Sequence, residues 1–125
     1  HPDARMMTEM DGALRDSAAM IAEARSVVIN VDDIWYKPPV VFDSDCIASV
    51  REAAATLGYS HQDIVSGAGH DACQVCSVAP TAMIFVPCAG GLSHNEAESA
   101  KPEHLEAGCN VLLNAMVERS GVVES

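Results

Sequence analysis

The fold is decided by residues 66–99, which read SGAGHDACQVCSVAPTAMIFVPCAGGLSHNEAES. Their centre, Thr81–Val86 (TAMIFV), is a continuous apolar run bounded by two prolines. Such a run is typical of a strand that is buried on both faces, as in sheets covered by helices on each side. We therefore predict a central strand over Thr81–Val86 in a protein of the α/β class.

Helices are predicted on both sides of this strand. The apolar spacing predicts one helix that Asp43 or Ser44 caps and Gly58 ends, and a last helix that starts at Pro102. A short strand at Ile64–Val65, a small-residue turn and a brief helix are predicted between the first helix and the central strand. The residues predicted to face the core are Ile47, Val50, Ala54 and Leu57 in the first helix and Leu105, Cys109, Leu112, Leu113 and Met116 in the last.

The N-terminal part has its own pattern. Residues 3–25 predict an amphipathic helix. The β-branched stretch Val27–Val31 predicts that a strand follows, running towards Ile34, Trp35 and Tyr36. The double proline Pro38–Pro39 interrupts both kinds of structure, so a boundary near it predicts domains 1–40 and 41–125. The apolar face of the helix consists of Met7, Met10, Leu14, Ala18, Ile21 and Ala22.

Composition excludes several classes of function. The 125 residues are 49% apolar and 20% charged, which is typical of a folded domain rather than a disordered chain. A formal net charge of −11 opposes binding to nucleic acid and to anionic membrane surfaces. No apolar run approaches the length of a membrane span, and no signal segment opens the sequence, so we expect a cytoplasmic protein.

The five cysteines are an odd number without regular spacing, which favours reduced thiols over a disulfide framework. Cys73 and Cys76 form a C-x-x-C pair, the pattern of a redox motif or of half a zinc site. The alternative is that both are small buried hydrophobic residues beside Val75 and Val78.

The turn before the brief helix contains two further patterns. Gly67, Gly69 and Ala72 match a G-x-G-x-x-A dinucleotide fingerprint, but a tight strand-to-helix turn needs the same glycines, and the helix before Pro80 is short for such a site.

The letters of a hydrolytic triad also occur in this turn, as Ser66, His70 and Asp71. Residues so close in sequence are not expected to point at one another as nucleophile, base and orienting group must.

Two histidines are candidate functional residues. His70 lies beside glycines, where a ligand oxygen can approach closely, although a capping or core histidine is the alternative. His94 lies in a polar loop, Pro87–Ala100, that also carries Glu96 and Glu98. One histidine is not a metal site, because zinc centres need three or more protein ligands, and a solvated loop is the alternative.

Three blocks of residues 66–99, SGAGHDA, TAMIFVP and SHNEAE, closely resemble in order and spacing the C-terminal signature of the hydantoinase/carbamoylase amidohydrolases. The family includes N-carbamoyl-L-amino acid amidohydrolase, β-ureidopropionase and allantoate amidohydrolase. It is related to metalloenzymes of the aminoacylase and glutamate-carboxypeptidase type. The motifs HPD (1–3), PPVVFD (38–43) and PEHLEAG (102–108) are also similar to that family.

The resemblance implies a two-domain α/β metallohydrolase, in which a lid domain used for homodimer formation is inserted into a catalytic domain that holds two divalent metal ions. Residues 1–40 would be the β-α-β end of the lid, and residues 41–125 the C-terminal part of the catalytic domain. Four of the five metal ligands, the general-base glutamate and a substrate-binding arginine would precede His1.

The resemblance also assigns roles to individual residues. His94 would be a metal ligand, while Gly69 and His70 would bind the substrate, with His70 as the catalytic group that polarises the scissile carbonyl or holds the oxyanion. The residues expected to orient these groups are Asp71, Asn95 and Glu96.

The implied function is metal-dependent hydrolysis of the carbamoyl C–N bond of N-carbamoyl-L-amino acids or related ureido acids, with Zn, Mn, Co or Ni. Glu96 and Glu98 favour a carbamoylase, and an allantoate amidohydrolase is the alternative within the family. The 125-residue chain alone is expected to bind no metal and to be inactive. Outside the enzyme class, the alternative is a truncated, noncatalytic remnant that acts as a binding or assembly module.

Overall fold

A computed structural model of the chain describes residues 1–121, and residues 122–125 lie outside the described part. Four α-helices are found in it: α1 (Ala4–Arg25), α2 (Ser44–Thr56), α3 (Ala72–Val75) and α4 (Pro102–Ser120). A 3-10 turn at Ala89–Gly91 lies in the polar loop. The predicted helices are thereby confirmed.

The helix ends follow from local hydrogen bonding. Asp43, rather than Ser44, caps α2, because its carboxylate accepts the backbone N–H groups of Asp45 and Cys46 at 3.1 and 2.8 Å. Gly58 follows the end of α2 with φ +74°, a left-handed conformation that glycine adopts without a Cβ penalty.

The residues divide into two compact units, His1–Val41 and Phe42–Ser125. The division lies close to Pro38–Pro39. The assignment of these units to a lid and a catalytic domain remains a prediction.

The first unit is α1 with the segment that follows it. Asp3 caps α1 through the backbone N–H of Arg5 at 2.8 Å. Arg15 in the middle of α1 donates to the carbonyl of Val31 at 3.3 Å and pairs with the carboxylate of Asp33, which ties the segment back to the helix. No side chain of this unit is buried, and the apolar face predicted for the helix stays largely exposed. The predicted helix is observed, and on its apolar face Met10, Leu14 and Ile21 are exposed.

The second unit has a small core between α2 and α4. Its buried apolar residues are Ala53, Ala54, Val111 and Ala115, and Val50, Tyr59 and Ile84 pack against them. The start of α2 lies beside the end of α4, where the Ser49 hydroxyl donates to Glu118 Oε1 at 3.3 Å. The end of α2 lies beside the middle of α4, where Asn110 Nδ2 donates to the Tyr59 hydroxyl at 3.3 Å. The two helices therefore pack in opposite directions.

The face of α4 that packs on α2 differs from the predicted one. Val111 and Ala115 face the core, whereas the predicted residues Leu105, Leu112 and Met116 are at least half exposed. Small residues allow two helices to approach closely, so the small-residue stripe is the one that meets α2. Leu105 and Leu112 line a groove of about 350 Å³, together with Ala82, Ile84 and Val86.

No strand is assigned within residues 1–121. The strands predicted at Val27–Val31, Ile64–Val65 and Thr81–Val86 are therefore not observed as such, and Phe85 is 45% exposed rather than buried. A strand requires hydrogen bonds to a neighbouring strand, and the described residues offer these segments no such partner. The β-pairing found among them is an isolated antiparallel bridge between Cys88 and Ala100.

None of the helices in residues 1–121 combines the length and the apolar character that a membrane crossing requires.

Candidate functional site

The turn before α3 places His70 in a defined position. The Ser66 hydroxyl lies 2.7 Å from His70 Nε2, and it also accepts the backbone N–H of Ala68 at 3.2 Å. Because the Ala68 N–H occupies a lone pair of the hydroxyl oxygen and not its proton, the hydroxyl is free to donate that proton to the ring. Ser66, directly before the GAGHD turn, therefore contacts both the Ala68 backbone and the His70 imidazole within that turn.

Phe85 lies close to the His70 ring. The two ring centroids are 5.5 Å apart in an edge-to-face arrangement, with an interplanar angle of 65°. Such aromatic pairs are favourable beyond the area that they bury. His70 is half-buried, and its imidazole lies beside both a hydroxyl and an aromatic ring.

His94 lies in a loop that is closed at its base. Cys88 and Ala100 form the antiparallel bridge at that base, and the backbone N–H of Ala89 donates to the carbonyl of Ser99 at 2.7 Å. His94 itself has φ +54°, a left-handed conformation that is uncommon for a residue other than glycine. Its side chain is exposed.

Glu98 spans the inside of this loop with both carboxylate oxygens. Oε2 accepts the backbone N–H of His94 at 2.8 Å, and Oε1 accepts the thiol of Cys88 at 3.5 Å. Burial raises the pKa of the Cys88 thiol, and the hydrogen bond to the Glu98 carboxylate adds to the rise. The thiol is therefore held in its protonated form, as a donor to Glu98.

The two candidate histidines come together in space. The ring centroids of His70 and His94 are 6.1 Å apart, although the residues belong to different loops. This juxtaposition is the main chemical feature of the second unit.

The other residues with predicted roles lie around this pair. Gly69 is exposed, and a Cβ built on it would meet no atom within 4 Å, so the backbone there is open to a ligand. Asp71 is exposed at the start of α3, and its carbonyl accepts the backbone N–H of Gln74 at 2.8 Å. Asn95 Oδ1 accepts the backbone N–H of Ala97 at 2.9 Å, which shapes the loop.

Glu96 is exposed, and Glu98 rather than Glu96 contacts the backbone of His94. The sequence argument did not single out Glu98 as an orienting residue. Its position in the same polar loop was the only feature of the sequence that could have indicated this role. The direction of its carboxylate depends on how the loop folds back on itself, which the sequence does not give.

The triad argument needs a correction as well. Ser66 and His70 do meet, contrary to expectation, because the turn folds the hydroxyl onto the ring. Within the described residues, no carboxylate hydrogen bonds to His70, so the arrangement is a serine–histidine pair without the orienting acid of a hydrolytic triad.

The structure adds no support for a redox or zinc role of the cysteine motif, or for a dinucleotide site at the glycine motif. The Cys76 thiol donates to the carbonyl of Cys73 at 3.3 Å, and all five cysteines are free. The helix that follows Gly67 and Gly69 has four residues, too few for the crossover helix of a dinucleotide site.

The donor atoms of residues 1–121 do not form a complete metal site. That part of the chain has no group of three or more His, Cys, Asp or Glu side chains placed to hold an ion. Since structural and catalytic zinc sites use at least three protein ligands, a two-metal centre does not fit these residues alone. They can contribute a ligand, and His94, exposed and held at its backbone, is suited to that.

Comparison with known proteins gives a consistent result. Residues 6–118 match the model of peptidase family M20/M25/M40. An N-carbamoyl-L-amino-acid amidohydrolase of Rhizobium meliloti is 45% identical over 123 residues, 98% of this chain and 30% of the relative. An allantoate amidohydrolase of Bacillus subtilis is 36% identical over 86 residues, 69% of this chain and 21% of the relative.

A solved structure is similar to this chain in backbone conformation as well as in sequence. The crystal structure of an amidase of the hydantoinase/carbamoylase family from Burkholderia multivorans superposes with a TM-score of 0.90 at 55% identity, over 95% of this chain and 29% of that one. The chain thus spans about 21–30% of the length of these relatives.

Proposed function

Since the chain belongs to peptidase family M20/M25/M40 and is similar to hydantoinase/carbamoylase amidohydrolases, we propose that the protein hydrolyses the carbamoyl C–N bond of N-carbamoyl-L-amino acids. The observation that supports this most directly is the meeting of His70 and His94 at 6.1 Å in the turn and loop that carry the matching motifs. The relative from Rhizobium meliloti carries that activity in its name.

In this proposal His70 binds the carbonyl oxygen of the scissile bond. Its ring is held by Ser66 and Phe85, so it need not reorganise when negative charge develops on that oxygen. Gly69 leaves the backbone beside it open, which allows the substrate to approach closely.

His94 is proposed to supply one ligand to a divalent metal site. Its other ligands would come from outside the described residues, because those residues hold no group of three. When bound, divalent metal ions in such enzymes activate water and neutralise charge at the reacting carbon. Asp71, Asn95 and Glu96 are proposed to orient the two loops around the histidines.

The experiment measures ammonia release from N-carbamoyl-L-amino acids by the complete protein, before and after His70→Ala. Loss of one stabilising donor lowers kcat by about 10²- to 10³-fold in comparable sites. His61→Ala is the matched control, because His61 is exposed and lies outside the pair. Unchanged kcat in His70→Ala would contradict the role of His70.

The metal role is tested separately with His94→Ala. We expect this variant to lose bound divalent metal on elemental analysis, while His61→Ala retains it. Equal metal content in both variants would remove His94 from the proposed ligands, whichever substrate the protein accepts.

Allantoate hydrolysis is the second candidate, because the Bacillus subtilis relative is named for it. The two activities are separated by comparing kcat/KM for allantoate with that for N-carbamoyl amino acids on the same preparation. A preference for allantoate would replace the carbamoylase proposal without altering the roles of the histidines.

A homodimer formed through residues 1–40 is also part of the proposal. The apolar face of α1 supports it, since Met10, Leu14 and Ile21 are 56%, 59% and 54% exposed. Such a face needs a cover in water, and a second copy would provide one.

A further inference from the structure

Glu98 is the residue that holds the His94 loop together. Its carboxylate is engaged at both oxygens, by the His94 backbone N–H at 2.8 Å and by the Cys88 thiol at 3.5 Å. Cys88 is itself fixed at the base of the loop by its bridge to Ala100. The carboxylate therefore connects the rigid base of the loop to the residue that carries the functional imidazole.

The bond to His94 has a specific consequence for backbone conformation. A non-glycine residue with φ +54° lies in a region that costs energy and that the surroundings must enforce. Hydrogen bonds from a backbone N–H to a carboxylate are stronger than those between neutral groups. The Glu98 carboxylate is placed to stabilise this conformation, because it accepts the N–H of the strained residue itself.

A further hydrogen bond in the loop orients Glu98. The backbone N–H of Glu98 donates to the carbonyl of Asn95 at 2.9 Å, which turns the chain so that the carboxylate points back at His94. Glu96, two positions earlier, makes no such contact with the His94 backbone. The geometry distinguishes the two glutamates of the SHNEAE motif, although their side chains are identical.

We infer that Glu98 is a positioning residue: it fixes the left-handed backbone of His94 and thereby the placement of the imidazole opposite His70, while Cys88 fixes the second oxygen of the same carboxylate. Glu98 would thus act through His94, whose backbone N–H it accepts. The functional importance of this positioning rests on the proposed role of His94, but the positioning itself is a property of the loop.

The direct test is hydrogen exchange of the His94 backbone amide, followed by NMR in the complete protein. Hydrogen bonds to charged groups contribute enough that Glu98→Ala should speed exchange of this amide about 10- to 100-fold. Glu98→Gln keeps one oxygen that can accept the N–H, so it should recover much of the protection. Glu106→Gln, an exposed glutamate on α4, is the control and should leave the amide unchanged.

Two further measurements connect the loop to function. If Glu98 acts through His94, Glu98→Ala lowers metal affinity by roughly 10- to 100-fold, the usual effect of losing a group that orients a ligand. It should also lower kcat with little change in KM, because Glu98 does not contact substrate. Cys88→Ala, which leaves the carboxylate in place, should give a smaller change of the same sign.

The outcomes separate the two proposals. Unchanged exchange of the His94 amide in both Glu98 variants would overturn the positioning role. Faster exchange together with full metal content in His94→Ala would leave the positioning intact and reject the metal role of His94. If Glu98→Ala disrupts the fold, seen as faster exchange at Ala53 and Val111 in the α2–α4 core, the isosteric Glu98→Gln and Cys88→Ala variants decide the question.

Discussion

At the scale of single residues, His70 shows how a side chain acquires a defined orientation. A histidine beside glycines has few local contacts, so its ring direction depends on groups from other segments. Ser66 and Phe85 supply these contacts, one polar and one aromatic. The ring is consequently held before any ligand arrives, a condition for efficient stabilisation of developing charge.

Ser66→Ala tests this arrangement. Removing the hydroxyl leaves His70 Nε2 without its neighbour, and a typical hydrogen bond contributes about 0.5–1.5 kcal/mol. We therefore expect kcat to fall by about 3- to 10-fold, far less than in His70→Ala. Ser66→Thr keeps the hydroxyl and should retain most of the activity. An unchanged kcat in Ser66→Ala would show that the serine does not orient the ring.

At the scale of elements, the second unit depends on the close approach of α4 to its neighbours. A Cβ added to Gly108 in α4 would lie 2.6 Å from Val86 Cγ1, closer than atoms can pack. Val86 is β-branched and therefore stiff at χ1. Gly108 is thus the point at which α4 crosses the segment 81–86.

Gly108→Ala should destabilise the protein for this reason. Overpacking costs about 1–3 kcal/mol, and the better helix propensity of alanine returns about 0.5–1 kcal/mol, so a net loss of about 1 kcal/mol is expected. Gly12→Ala in α1 is the matched control, because no atom lies within 4 Å of its Cβ, and it should stabilise its helix. Thermal melts by circular dichroism compare the two, and equal shifts of both variants would contradict the contact.

The Asp43 cap makes α2 sensitive to acid. Backbone hydrogen bonding from Cys46 chiefly holds the pKa of Asp43 below its ordinary value. A carboxylate with a lowered folded-state pKa stabilises the fold at pH values above its unfolded pKa. That contribution is lost as the pH falls through the folded value.

Asp43→Asn separates the cap from its titration. Asparagine is an equally good N-cap, so the variant should be about as stable as the unsubstituted protein at neutral pH. Denaturant titrations at several pH values below about 5 should then show a shallower loss of stability in the variant. The same loss in both proteins would mean that other carboxylates dominate, and Asp43→Ala should be less stable than either at neutral pH.

At the scale of the whole molecule, few apolar residues are buried, although apolar residues make up a large part of the sequence. The chain is 49% apolar, yet the buried apolar residues of the described part are three alanines and one valine. Ile34, Val41 and Val28 are 96%, 89% and 88% exposed. Apolar surface of this extent marks interaction surfaces.

The α1 face gives a prediction for assembly. In the complete protein, Leu14→Glu with Ile21→Glu should shift sedimentation from dimer towards monomer, because a charge at such an interface cannot be buried without a partner. Ala19→Glu adds charge on the opposite side of the same helix and should leave the dimer intact. A dimer unaffected by the double substitution would exclude this face as the interface.

Sequence alone determined the features that depend on local chemistry or on a long ordered pattern. The α2 cap, narrowed to Asp43 or Ser44, the Pro102 start of α4 and the family resemblance belong here, because they depend on neighbouring residues or on the order of motifs along the chain. The candidate histidines were found in the same way.

Only the tertiary structure decided which faces are buried and which side chains meet. Apolar periodicity identifies a stripe on a helix but not the element that covers it, so α4 buries its small residues and exposes the larger ones. The contacts of His94 with Glu98, and of His70 with Ser66, Phe85 and His94, depend on how turns and loops fold back. A strand likewise exists only with a partner, because its hydrogen bonds come from another segment.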